Sequence, residues 1–411
     1  MPHEAALLAT IAVSLSLAFI GGLVAVRLGL PPLVGYLLAG VAVGPFTPGF
    51  VADAHLASQL AEIGVILLMF GVGMHFSVRD LWAVRAVALP GALAQIAVAT
   101  ALGLGLARAW GWSFGAGLVF GLALSVASTV VLLRALGAHG GTDSDEGRIA
   151  VGWLIVEDFV MVLVLVLLPG LAGALGAGSG AAGAPHSLGS ALAATLGKIA
   201  AFVAAMLLVG TRLFPWLLAR VERTGSRELF TLAVVALALG IAFGSAELFG
   251  VSLALGAFFA GAVIHESDLS QRAATDTRAL QDAFSVLFFV AVGMLFDPAI
   301  LIRRPLQVLA ALAIILVGKS LAALAIVLAL GRPLRTALTI AAALAQIGEF
   351  SFILAGLGVA LGLLPAEGQS LILAGALLSI TLNPLGFLAV KRLVGAARVR
   401  PGASGNGSAC A

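Results

Sequence analysis

Apolar residues run through this chain in stretches of about 20, which is the length that crosses the roughly 30 Å hydrocarbon core of a bilayer. The stretches follow one another almost to the C-terminus, separated by short polar or Gly- and Pro-containing connections. This pattern predicts about thirteen membrane-spanning helices. Numbered as spans 1 to 13, they cover residues 5–27, 31–45, 56–76, 84–108, 113–137, 148–169, 190–213, 228–247, 250–265, 281–297, 306–330, 335–362 and 367–392.

The composition supports an all-α polytopic membrane protein that is surrounded by lipid. Of the 411 residues, 61% are hydrophobic and only 10% are charged, which excludes a soluble domain. The 51 glycines suit helices that pack closely within a membrane. The single cysteine, Cys410, provides no disulfide framework and no cysteine metal site. Basic residues are scattered over many loops, so we expect no nucleic-acid partner.

The chain begins Met-Pro-His-Glu, without the basic segment of a signal peptide, so we expect span 1 to be retained. If the N-terminus is outside, 17 of the 22 Lys and Arg residues lie in inner loops and the C-terminal tail. Three (Arg108, Arg303 and Arg304) lie outside, and Lys198 and Lys319 lie within spans. Because cytoplasmic loops carry an excess of Lys and Arg, this distribution predicts an outer N-terminus and a cytoplasmic C-terminus.

Four ionisable residues fall near the middle of apolar spans. Glu157 and Asp158 are adjacent in span 6, Lys319 lies in span 11 and Glu349 in span 12. A charge at the bilayer centre costs roughly 2.5–3.5 kcal/mol even on the lenient insertion scale. We therefore expect these side chains to face one another or water.

Two spans have a polar interruption at their centre. Span 5 contains the sequence SVAST at 125–129, and span 12 contains AQIGEFS at 345–351. The two spans are seven apart, so they run in opposite directions, as expected for an inverted repeat. Paired interrupted helices indicate a transport site, because unwound backbone can coordinate an ion.

The chemistry of these residues fits exchange of a proton for a cation. The carboxylate of Asp158 can hold either a proton or a small hard monovalent cation, and that exclusivity would couple the two fluxes. The hydroxyls of Ser128 and Thr129 and freed carbonyls would complete an oxygen shell. Lys319 could pair with Glu157 when the cation is absent, and could itself release a proton.

Structural alternatives exist for most of these residues. The Glu157–Lys319 pair could serve only to join spans 6 and 11. Ser128 and Thr129 could bond back to carbonyls four residues earlier. Glu349 could cap a broken helix instead of contacting the ion.

Seven segments together resemble the Kef-type branch of the monovalent cation:proton antiporter-2 family, in particular its YbaL-like group. The resemblance covers about residues 5–395. The segments are 61–73 (AEIGVILLMFGVG), 125–136 (SVASTVVLLRAL), 152–158 (GWLIVED), 256–261 (GAFFAG), 265–268 (HESD), 288–294 (FFVAVGM) and 348–352 (GEFSF).

The resemblance implies a transmembrane exchanger domain, residues 1–395, and a short cytoplasmic tail, 396–411. Spans 5 and 12 would be crossed, discontinuous helices in a mobile core made of about 84–169 and 306–392. A scaffold of about 5–76 and 228–297 would form a homodimer, with 190–213 as linker. Elevator-like alternating access in a bacterial inner membrane is implied. Asp158 matches the essential aspartate, Glu157 the position before it and Lys319 the opposite basic residue.

Two features depart from this family. Electroneutral relatives often carry an amide before the aspartate and electrogenic ones a second acid, so Glu157 leaves the stoichiometry open. Kef-type proteins commonly continue into a nucleotide-binding domain, whereas 17 residues follow Val394 here. Nucleotide or glutathione gating through such a domain is therefore not expected. The segment 265–268 resembles the one that contacts this domain, so here it is either a remnant or a contact for a separate subunit.

The sequence thus predicts a transporter that exchanges a monovalent cation, K⁺ in preference to Na⁺, for H⁺, with no cofactor. No nucleophile–base or metal pattern indicates an enzyme. One alternative is a channel-like K⁺ efflux path, although Tyr36 is not part of a filter sequence. Another is an organic-solute symporter of the same architecture, which would need a roomier polar cavity.

Overall fold

The computed structural model describes residues 3–48, 53–75, 78–138, 144–176 and 188–398. All regular elements in these ranges are helices, and two π-helical segments, Met206–Gly210 and Ile314–Gly318, interrupt longer ones. The α-helices are α1 (His3–Arg27), α2 (Pro32–Val43), α3 (Ala54–His75), α4 (Val78–Ala109), α5 (Phe114–Ser125), α6 (Thr129–Ala138), α7 (Asp145–Leu171), α8 (Leu188–Ala205), α9 (Thr211–Glu222), α10 (Arg227–Phe249), α11 (Leu253–His265), α12 (Ser270–Met294), α13 (Ile300–Arg303), α14 (Pro305–Ala313), α15 (Lys319–Ala329), α16 (Leu334–Ala343), α17 (Glu349–Ala360) and α18 (Ala366–Arg398).

The predicted all-helical membrane fold is confirmed. Spans 5 and 12 are broken into α5/α6 and α16/α17, spans 7 and 11 contain the π-helical segments, and each other span is a single helix. Eight helices of the described chain are long and apolar enough to cross a membrane. The predicted tail 396–411 lies largely outside the described residues, and so do residues 177–187.

The predicted start of span 10 at residue 281 is wrong, because α12 begins at Ser270. The first three turns of α12 are polar, so the sequence predicted a loop there. They are helical because Ala273 and Thr277 are buried on one face.

Helix boundaries follow from ordinary capping chemistry. Apart from α6, which belongs to the site described below, serine hydroxyls accept a main-chain N–H at the start of four described helices, which satisfies one of the free donors there. The four are Ser113, Ser144, Ser226 and Ser252. At the end of α10, Gly250 adopts the left-handed conformation, with φ 63°, that favours glycine at this position.

The helices pack in two groups. In the first group, α3 packs on α11 and α12, and α2 packs on α1 and α12. In the second group, α4 packs on α5, α7 and α15, while α18 packs on α14, α16 and α17. The segment from α8 to α9 contacts α7, α10 and α11, and so touches both groups.

Glycine permits the closest helix contacts within the first group. A Cβ on Gly35 in α2 would lie 2.2 Å from the main chain of Gly21 in α1. A side chain at either position would force the helices apart, so the small residues set this spacing.

Candidate functional site

Both interrupted spans unwind at the polar sequences that predicted the breaks. Helix α5 ends at Ser125, Val126 is extended (φ −97°, ψ 133°), and α6 begins at Thr129. Helix α16 ends at Ala343, and Gly348 is extended just before α17 begins. Each break leaves one helix C-terminus and one helix N-terminus inside the protein.

The two unwound segments cross in direct contact. The amide N–H of Ser128 donates to Oε1 of Gln346 at 2.9 Å, and Nε2 of Gln346 donates back to the Ser128 carbonyl at 3.1 Å. A Cβ on Gly348 would lie 2.5 Å from Cα of Ser128, so only glycine allows the main chains to approach this closely. The side-chain amide of Gln346 therefore joins the two breaks, because its oxygen accepts from Ser128 and its nitrogen donates to Ser128.

Side-chain amides satisfy the carbonyls that the breaks leave free. Nε2 of Gln95, in α4, donates to the carbonyl of Ser125 at 3.0 Å, and Oε1 of Gln95 accepts from Nε1 of Trp153 at 2.9 Å. Nδ2 of Asn383, in α18, donates to the carbonyl of Ala342 at 2.9 Å. These bonds matter because a buried, unpaired main-chain group costs about as much as a lost hydrogen bond.

Glu157 holds the first unwound segment in place. Its side chain is fully buried, and Oε2 accepts the amide N–H of Ala127 at 2.8 Å. This contact gives Glu157 a structural role that the sequence did not predict, because the carboxylate accepts a main-chain N–H that the break in span 5 leaves free.

Asp158 lies next to Thr129, the first residue of α6. The hydroxyl of Thr129 donates to Oδ2 of Asp158 at 3.2 Å. Oδ1 of Asp158 is buried and has no hydrogen-bond partner, although the residue as a whole is 7% exposed. The Oγ of Ser128 accepts the N–H of Val131 at 3.3 Å and so caps α6, while its role in ion binding stays a prediction.

Glu349 begins α17 at the second break and is 3% exposed. Its carboxylate interacts with its own main-chain N–H and with the side chain of Ser128, while Oε2 has no hydrogen-bond partner. Glu349 thus lies in the first turn of α17 beside the crossing, and its predicted roles as a helix cap and as an ion contact both stay predictions.

Lys319 is fully buried and directly follows the π-helical segment Ile314–Gly318. Its Nζ donates to the main-chain carbonyl of Gln346 at 3.0 Å. The direct Glu157–Lys319 ion pair expected from the sequence is not present within 4.0 Å in the described chain. The charges still attract each other, but the ammonium group stabilises the second unwound segment instead.

The charges at the crossing are not balanced. Three carboxylates and one ammonium group are buried together, which gives a net charge of −2 when all four are ionised. Glu349 and Glu157 both repel Asp158, and each of the three carboxylates has one oxygen without a hydrogen-bond partner. In the described part of the chain, no three His, Cys, Asp or Glu side chains converge on one metal position. Any cation held at Asp158 would therefore complete its shell with hydroxyl, carbonyl or water oxygens.

Sequence reasoning missed the residues that hold the crossing together. Gln95, Gln346, Trp153 and Asn383 are all buried and hydrogen-bonded at the two breaks. The available signal was an isolated amide in an apolar span, because a buried amide needs partners.

The architecture matches that of a solved antiporter. The sodium proton antiporter MjNhaP1 from Methanocaldococcus jannaschii at pH 8 superposes with a TM-score of 0.71, over 95% of this chain and 99% of that chain. The sequences are 16% identical, so this likeness establishes the fold alone.

Sequence relatives cover most of this chain. YbaL of Escherichia coli (strain K12), provisionally named a cation/proton antiporter, is 64% identical over 393 residues, which are 95% of this chain and 70% of YbaL. The glutathione-regulated potassium-efflux system protein KefC of Salmonella heidelberg (strain SL476) is 32% identical over 90% of this chain and 58% of KefC. Residues 15–390 match the family described as sodium/hydrogen exchanger, transmembrane.

Fold, breaks and relatives together define a multi-pass membrane transporter of the cation/proton antiporter class, and not an enzyme. The chain belongs to the sodium/hydrogen exchanger family, and it is homologous to the Kef-type antiporters.

Proposed function

We propose that this protein exchanges a monovalent cation for H⁺ at Asp158, and that K⁺ is preferred over Na⁺. The observation that carries the proposal is the buried Oδ1 of Asp158, which has no hydrogen-bond partner beside an unwound helix segment. The K⁺ preference rests on the similarity to KefC, which is named as a potassium-efflux protein.

A proton and a monovalent cation are electrically interchangeable at this position. Either one lowers the net charge of the buried cluster by one unit, and neither can bind where the other already sits. When the cation binds, Asp158 gives up its proton, and the hydroxyl oxygen of Thr129, carbonyls of the unwound segments and water complete the shell. When the cation leaves, the uncompensated carboxylate takes up a proton again, because an isolated buried charge is costly.

The division of the helices into two packed groups supports alternating access. A cavity lies between them on one side, lined by α3, α11 and α12 of the first group and by α7, α17 and α18 of the second. We infer that the second group is a mobile core that carries the site past the first group, which acts as a scaffold for a homodimer. With the N-terminus outside, as the Lys and Arg distribution predicts, the cavity opens outward.

Dissipation of a pH gradient in inverted membrane vesicles tests this proposal. Addition of K⁺ should release H⁺ in vesicles that contain wild-type protein, with a weaker response to Na⁺. The variant Asp158→Asn keeps the volume of the side chain and removes the ionisable group, so it should respond to neither salt. Equal exchange by the variant would overturn the assignment of Asp158, and a stronger response to Na⁺ would overturn the K⁺ preference.

A further inference from the structure

The cavity between the two helix groups is large enough to admit a hydrated cation. Its volume is about 1060 Å³, which corresponds to roughly 35 water molecules at about 30 Å³ each. Phe352, three residues after Glu349 in α17, and Leu165 in α7 are among its lining residues. Leu165 is seven residues after Asp158, or about 10 Å along the helix axis. The cavity therefore leads toward the crossing without containing Asp158.

Five charged side chains among the described residues line the cavity, and four of them form two ion pairs. Nη1 of Arg303 lies 3.5 Å from Oδ2 of Asp297, and Nε of Arg304 lies 3.1 Å from Oε1 of Glu367. The fifth is Glu62 in α3, which is exposed and forms no ion pair in the described part of the chain. The paired charges cancel, so among the described lining residues Glu62 contributes the net charge of −1.

We propose that Glu62 attracts the transported monovalent cation into this cavity and holds it there in hydrated form before it reaches Asp158. The inference rests on the proposed exchange function. The rest of the wall is mainly apolar, and walls of low dielectric constant focus the field of a charge into the water between them. Glu62 lies on the scaffold side, outside the crossing, so it should govern delivery of the cation and not the exchange step.

Initial exchange rates in right-side-out vesicles test this role, because the proposed orientation puts the cavity mouth on the outer face. The transported cation is added on the outside. Initial rates are measured at two total ionic strengths, about 10 mM and about 300 mM, which are set with the salt of an impermeant organic cation. The neutral variants are Glu62→Gln and Glu62→Ser, and Glu62→Asp retains the charge. Glu247→Gln is a matched control. Glu247 is an exposed acid near the C-terminal end of α10, on the same side of the membrane as Glu62 in the proposed topology, and it does not line the cavity.

We expect the neutral variants to raise the KM for the cation roughly three- to tenfold at low ionic strength, with an unchanged maximal rate. The difference should shrink at high ionic strength, because the screening length falls from about 30 Å at 0.01 M to less than 10 Å. Glu62→Asp and Glu247→Gln should behave as wild type. In inverted vesicles, where the cation arrives from the other end, the neutral variants should also match wild type.

A wild-type KM in the neutral variants at both ionic strengths would overturn the role of Glu62. The proposed exchange at Asp158 would still stand after such a result, provided that Asp158→Asn is inactive in the same vesicles. A loss of maximal rate that is independent of salt would also overturn the inference, since it would place Glu62 in the exchange step. Absence of cation-dependent H⁺ movement in wild-type vesicles would instead overturn both proposals.

Discussion

The contact between Gly348 and Ser128 makes a single added methyl group a sensitive probe of the crossing. In Gly348→Ala, the new Cβ would lie 2.5 Å from Cα of Ser128, whereas ordinary contacts begin at 3.4 Å. The two unwound segments must therefore separate by about 0.9 Å. A separation of that size along the hydrogen bonds would stretch both Ser128–Gln346 bonds, now 2.9 and 3.1 Å, beyond the normal range.

We expect this displacement to cost about 1–3 kcal/mol of stability, as overpacking does in well-packed cores. Exchange should fall by about 100-fold, since displacing functional groups by roughly 1 Å can cost that much. The assay is H⁺ movement driven by the cation in vesicles, together with thermal melting of the purified protein in detergent. Gly240→Ala, in α10, is the control, because a Cβ there meets nothing within 4 Å and Gly240 does not line the cavity. A folded Gly348→Ala variant that exchanges at the wild-type rate would refute the reasoning.

Three further substitutions test other contacts of the site. Thr129→Val removes the hydroxyl that donates to Asp158. The KM for the cation should therefore rise about three- to tenfold, which corresponds to a loss of binding free energy near 1 kcal/mol. Thr129→Ser keeps the hydroxyl and should keep the wild-type KM. Lys319→Met should destabilise the protein by about 3 kcal/mol, because it removes the buried positive charge that attracts Glu157, and adding Glu157→Gln should recover part of this loss in thermal melts. Gln95→Leu leaves a buried carbonyl and an indole N–H unpaired, so it should cost about 1–3 kcal/mol of stability.

Exposed residues of the same type provide the controls. Thr275→Val and Gln271→Leu alter side chains on the exposed part of α12 and should leave both KM and melting temperature unchanged. If the KM or the melting temperature of these controls changed as much as in the site variants, the contacts at the crossing would not be the cause of those changes. No recovery of stability in the double variant would contradict the electrostatic coupling between Lys319 and Glu157.

The sequence predicted the parts of this structure that depend on local composition. Apolar length defined the spans, and the adjacent charges of Glu157 and Asp158 marked a functional helix, because lipid strongly disfavours such residues. The polar sequences at 125–129 and 345–351 predicted the two breaks, since polar groups compete for main-chain partners within a helix.

The contacts that join the breaks depend on distances between remote segments, which local patterns do not contain. Gln346 and Ser128 are 218 residues apart in the chain and yet bond through both ends of the amide. The hydrogen bond from Lys319 to the carbonyl of Gln346 was not predicted, for the same reason. Whether an ammonium group reaches a carboxylate or a carbonyl depends on shifts of a few ångströms, and here the π-helical segment before Lys319 also changes the helix phase.

In the proposed exchange, one carboxylate, Asp158, binds the proton and the cation alternately. The most direct test is the KM for K⁺ measured at several pH values with purified protein in liposomes. Competition predicts that KM rises as pH falls, by up to about tenfold for each pH unit, while the rate at saturating K⁺ stays nearly constant. A KM that does not change with pH, with only the maximal rate responding, would contradict a shared site.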